Sequence, residues 1–194
     1  MVISGLGGNE EFNERFDEYA TAIAEETRQI AQTSTDVMLL RGSAAKKDIV
    51  IALFDAISTR EDIDKFTAFF IGHGSYDGRT YKFNIPGPDI TGDELADLLN
   101  KVRSREQLVF AATSASGALL EKIDSGNNDT GARTLITATK NGREKTAVVF
   151  PGYMVDAITT ADADTDKNES ISALEIFEYA NRCLLYTSPS PRDS

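Results

Sequence analysis

Phe66-Thr-Ala-Phe-Phe-Ile-Gly-His-Gly-Ser75 is an apolar run that stops at two glycines flanking the chain's only histidine. A run of this kind, closed by Gly, predicts a strand buried in a sheet. Working outward, similar short runs alternate with amphipathic segments. Val2-Ile-Ser-Gly-Leu6 reads as a first strand, Gly5-Leu-Gly-Gly8 as the turn after it, and Asn9 as the cap of a helix reaching about Gln32. Phe12, Phe16, Ala20, Ile23 and Ile30 share one face of that helix. Asp36-Val-Met-Leu-Leu40 is a second strand, and Ser43 is expected to cap a helix carrying Ile49, Val50, Leu53, Phe54 and Ile57. Beyond the histidine, Tyr81-Lys-Phe-Asn-Ile85 is expected to be extended. Thr91-Gly-Asp-Glu94 spells a capping box, and Gln107-Leu-Val-Phe-Ala-Ala-Thr113 is a fourth strand. Ser116 to Ile123 predicts a helix, Asp124 to Ala132 a mobile surface loop, Thr134 to Ala138 a fifth strand, and Tyr153 to Ile158 another helix. Strands separated by helices imply right-handed crossovers and a three-layer α/β fold, a mostly parallel sheet flanked by helices. Chemistry in such sheets gathers at the carboxyl ends of the strands.

The length of 194 residues suits one domain with one sizeable core. With 31 Asp+Glu against 20 Lys+Arg, the formal charge of −11 repels phosphates, which argues against nucleic acid as a partner. Apolar runs such as Asp48-Ile-Val-Ile-Ala-Leu-Phe-Asp55 are too short to cross a bilayer. The single Cys excludes an intramolecular disulfide. Gly5-Leu-Gly-Gly-Asn-Glu10 resembles a dinucleotide fingerprint only weakly, because Glu10 and Glu11 would repel a pyrophosphate; a tight turn between strand and helix is the better reading. Asn128-Asp-Thr130 and Asn168-Glu-Ser170 match glycosylation sequons, a pattern common by chance.

His73 therefore stands at a strand terminus, where an imidazole can move protons near neutral pH. The next strand of the sheet ends in Thr113-Ser-Ala-Ser-Gly117, at the mouth of a helix whose amides can stabilise an oxyanion. Phe69-Phe-Ile-Gly-His-Gly-Ser75 followed by Leu108-Val-Phe-Ala-Ala-Thr-Ser-Ala-Ser-Gly117 resembles the two signature blocks of the caspase-like cysteine peptidases, most closely the legumain branch. In that family one strand ends in His-Gly-Ser and the next in Cys-x-Ser-Gly. The resemblance covers residues 1 to 160 and implies a caspase-like fold, with His73 as acid and base, position 114 as nucleophile, and amides near Gly74 and Ser114 as the oxyanion site. The family's Cys is Ser114 here. A hydroxyl ionises far less readily than a thiol and needs a well-placed base. Three readings follow: a degenerate peptidase kept to bind a peptide or protein segment, which is favoured; a Ser-dependent hydrolase of peptide or ester bonds; and an engineered knock-out.

Asp164-Thr-Asp-Lys-Asn-Glu-Ser-Ile-Ser-Ala-Leu-Glu175 resembles the EF-hand calcium loop. The resemblance makes Asp164, Asp166, Asn168 and Glu175 side-chain ligands of Ca2+, adds Ser172 directly or through a water, and gives Ser170 a backbone carbonyl role, within a helix-loop-helix spanning 153–182. Glu169 stands where a Gly normally makes the turn, at a cost of about 1–2 kcal/mol. The alternative is an acidic turn capped onto a helix. A calcium-responsive interaction module is accordingly a further reading of the whole chain.

The ends read differently from the rest. Cys183-Leu-Leu-Tyr-Thr-Ser-Pro-Ser-Pro-Arg-Asp-Ser194 has no regular period and resembles a translated sequencing adapter of the kind met in metagenomic, bacterial gene sets. The last helix is expected to end near Arg182, with 183–194 an artefactual tail. Since Val2 to Leu6 already forms a strand, the natural chain is expected to begin upstream, which leaves the compartment open between cytoplasm and periplasm.

Overall fold

The computed structural model describes residues 1–30, 36–123, 131–144 and 149–187. In chain order the elements are β1 (Val2–Ser4), α1 (Glu10–Ile30), β2 (Leu39–Leu40), α2 (Lys47–Ser58), β3 (Ile63–Gly72), β4 (Gly74–Tyr76), β5 (Tyr81–Phe83), β6 (Ile90–Thr91), α3 (Gly92–Lys101), β7 (Ser104–Thr113), β8 (Ala132–Thr137), α4 (Phe150–Thr159) and α5 (Ala173–Thr187). The apolar run at Phe66 lies inside β3, the central strand of a five-stranded sheet ordered β2-β1-β3-β7-β8. Every pairing in this sheet is parallel. β4, β5 and β6 form a separate antiparallel sheet, which turns the expected extended segment at Tyr81 into the middle of a small three-stranded unit.

Alternation along the central strands builds two cores. Phe66, Ala68 and Phe70 of β3 join Val109 and Ala111 of β7 on one face, under α2, α3 and the small sheet. Phe69, Ile71, Phe110 and Ala112 point to the other face, where Phe16, Ala20 and Ile23 of α1 meet Met154 and Ala157 of α4 and Ile176 and Ala180 of α5. Helices on both faces of one parallel sheet make the expected three layers.

Local signals behave as local physics requires. The Asn9 side chain accepts from the Phe12 amide at 2.9 Å, capping α1. Thr91 and Glu94 exchange both bonds of the capping box at the start of α3. Long-range packing moves other boundaries. β2 shrinks to Leu39–Leu40, the two residues that pair with Val2 and Ile3 of the three-residue β1. Ser43 does not cap α2: Gly42–Ala44 is a 3-10 turn anchored by the buried Ala45, and α2 starts after Lys46. Residues 116–121 are 3-10 rather than α-helical, because the Ser116 hydroxyl accepts from the amides of Ala138 and Thr139 while the Gly117 amide donates to Thr139 Oγ1. α5 runs to Thr187 instead of stopping near Arg182, with Leu184 packed against the core of α1 and α4. The sequon at Asn128 and nearly all of the loop expected over Asp124 to Ala132 lie outside the described residues.

Candidate functional site

Sheet register brings the two strand-end residues together. Gly72 of β3 pairs with Thr113 of β7, the last pair between these strands, so His73 and Ser114 are the first residues past the paired ends. His73 Nδ1 and Ser114 Oγ stand 3.2 Å apart, and the imidazole tautomer decides which atom donates. α1 fixes the ring from behind. Phe12 and Phe16 meet it edge-on, with centroids 5.7 and 5.3 Å away. These two phenylalanines look from the sequence like an ordinary core stripe; their contact with the histidine is visible only once α1 lies across the end of β3.

Gly74 belongs to the site through its lack of a side chain. A Cβ there would collide with the Ser114 carbonyl oxygen and press on the Tyr81 ring. Tyr81 itself is fully buried, and its hydroxyl shares a 2.6 Å hydrogen bond with Thr113 Oγ1, tying the small sheet to the residue before Ser114. Burial pushes the Tyr81 phenol above its ordinary range, so it stays neutral.

After Ser114 the chain turns sharply at Ala115, whose φ of 57° and ψ of 11° lie in the left-handed region. A non-glycine residue in that region costs about 1–2 kcal/mol. The Ala115 amide donates to the Glu144 carbonyl at 2.9 Å. That amide, one of those near Ser114 expected to meet an oxyanion, is thus committed within the protein. Ser114 is only 4% exposed. Glu144 had no sequence signal, because its part is played by its backbone.

The acidic loop follows α4 and leads into α5. Asp164, Asp166 and Glu175 bring carboxylate oxygens within 4.8 Å of one another, a cluster that could hold a metal ion. Two of the other expected ligands, Asn168 and Ser172, serve the same carboxylates. Asn168 donates its amide to Asp164 Oδ1 at 3.1 Å and its side-chain nitrogen to Asp166 Oδ2 at 2.9 Å. Ser172 Oγ donates to Glu175 Oε2 at 2.8 Å, while exposed Ser170 donates its amide to Asn168 Oδ1. Glu169 does adopt φ of 64°, the turn that Gly would make without strain. The donors are all hard oxygens, a set that fits Ca2+ or Mg2+ rather than a softer metal.

Glu175 also has a structural occupation. It is 6% exposed, and its carboxylate accepts from the amides of Thr165 and Ser172, while its own amide donates to Ser172 Oγ. Thr165, which the sequence did not single out, gives both its amide and its hydroxyl to this carboxylate. These bonds, those from Ser172 foremost, hold the Glu175 carboxyl well below its usual 4.5, at about 2. Because the folded value is depressed, the stabilisation is complete above about pH 4.5 and disappears as the pH falls toward 2. Acid titration by circular dichroism in a chelating buffer should show a transition in this window that Glu175→Gln removes; an unchanged acid profile would contradict the assignment.

No protein-family model matches this chain, and no curated protein matches it.

Proposed function

We propose that this chain is a homologue of the caspase and legumain peptidases that carries Ser114 at the nucleophile position and uses the strand ends around it to bind a peptide or protein segment. The observation that carries this reading is the placement of His73 and Ser114 side by side past the last register pair of β3 and β7. Two further facts favour binding over cleavage. Ser114 is nearly buried, and the Ala115 amide is already satisfied by Glu144. A fluorophosphonate probe should leave Ser114 unlabelled, while a peptide library immobilised under the same conditions should retain the protein; absence of any retained sequence overturns the binding role.

A Ser-dependent hydrolase is the second reading, favoured by the 3.2 Å contact that would let His73 take the hydroxyl proton. In that case His73 acts as base and then acid, and Ser114 attacks a peptide or ester carbonyl, with the Gly74 side of the turn left to hold the oxyanion. Labelling of Ser114 that is lost in His73→Ala decides for it.

We further propose that the Asp164–Glu175 loop holds Ca2+, with Asp164, Asp166, Asn168, Ser172 and Glu175 as side-chain ligands and Ser170 through its carbonyl. When bound, the cation would fasten the start of α5 to the end of α4. Calcium at a hundred times its dissociation constant should stabilise the fold by about 2.7 kcal/mol. Thermal melts should show this shift with calcium and lose it in Glu175→Ala; a melt indifferent to millimolar calcium rejects the site.

A further inference from the structure

Two segments converge beside Ser114 from opposite sides. From the small sheet, Gly74 approaches the Ser114 carbonyl so closely that a Cβ there would collide with it, and the chain continues directly to Tyr76. From the end of β8, the loop 139–144 comes back over the 3-10 turn that follows Ser114. A Cβ on Gly142 would stand 2.5 Å from the Tyr76 ring and 2.9 Å from Ala118, so only a glycine lets the two segments close on each other. The loop holds its own shape: the Lys140 amide donates to Glu144 Oε2 at 2.9 Å, and the Arg143 amide donates to Asn141 Oδ1 at 2.9 Å. This shape presents the Glu144 carbonyl to the Ala115 amide.

We propose that loop 139–144 is an autoinhibitory strap. The Glu144 carbonyl takes the acceptor place that a bound peptide's carbonyl would occupy on the Ala115 amide, and Tyr76 latches the loop through Gly142. Ligand entry at the strand ends then requires the strap to leave. The inference rests on the strand-end binding reading only for where a ligand would sit; the access to position 114 can be measured with no peptide at all.

The test places a thiol under the strap. In the full chain carrying Ser114→Cys and Cys183→Ser, the alkylation rate of position 114 by iodoacetamide is compared with the same protein bearing Glu144→Ala or Tyr76→Ala. Glu144→Ala removes the side-chain tie that shapes the loop, and Tyr76→Ala removes the latch. Each should raise the rate about tenfold, the change expected when one net hydrogen bond or its packing equivalent is lost, while the cooperative thermal melt is retained. A rate in the parent already equal to that of a free small thiol overturns the proposal. So does an unchanged rate in both variants, or a rise seen only where the cooperative melt has vanished. Peptide cleavage or retention is scored separately, so a failed strap and a failed binding reading give different results.

Discussion

Ser114→Cys should give a protein that cleaves peptides. A thiol is a few per cent ionised at neutral pH without help, whereas a serine hydroxyl is not ionised to any useful extent, so the sulfur is the better nucleophile beside His73. His73 Nδ1, 3.2 Å from the hydroxyl, is placed to exchange a proton with whatever atom stands there. We expect turnover of a mixed peptide library by Ser114→Cys at roughly a hundredfold or more above the parent, and its loss in the Ser114→Cys, His73→Ala double variant. The strap adds a control. If Ser114→Cys is silent but Ser114→Cys with Glu144→Ala cleaves, the scaffold is a peptidase under cover. Silence from both, with no modification by cysteine-directed peptidyl electrophiles, removes the peptidase ancestry from consideration.

Phe110→Ala should bring the fold close to its limit. Phe69 and Phe110 face each other across β3 and β7, with ring centroids 4.7 Å apart and planes within 3° of parallel. Phe110 is fully buried beneath α1 and α4. Emptying that position loses the transfer energy of the ring, opens a cavity in a layer that cannot collapse onto it, and breaks the stack. The sum is about 4 kcal/mol, a large share of the 5–15 kcal/mol typical of a domain. Urea denaturation should report that loss, and the melting temperature should fall by roughly 10 °C. Leu120→Ala, on a side chain that is 52% exposed, should change stability by less than about 0.5 kcal/mol. Equal effects at the two positions would mean that the stacked pair is not a core element.

The contrast between local and distant causes explains which features the sequence could disclose. Asn9 and the Thr91–Glu94 box are written within four residues, and the helices they open begin where expected. The strand runs at Phe66 and Gln107 were legible because a parallel strand covered on both faces needs continuous apolar character. The pairing of His73 with Ser114 followed from order alone, since consecutive crossovers place neighbouring strand ends together. The rest depended on partners far along the chain. Ser116 looks like a helix start until the end of β8 arrives to claim its hydroxyl. Glu144 acts through its carbonyl, which every residue possesses, so no side-chain pattern could mark it. In the acidic loop the spacing of the carboxylates was visible, but the bonds that hold Glu175 at the start of α5 emerge only when Thr165 and Ser172 close around it.

The spacing of His73 and Ser114 belongs to the sheet rather than to either side chain. Adjacent strands lie about 4.8 Å apart wherever their ladders are intact, and the ladder between Gly72 and Thr113 is intact to its last rung. A substitution at either position therefore leaves the backbone geometry unchanged, and whatever side chains stand at 73 and 114 meet across the same width.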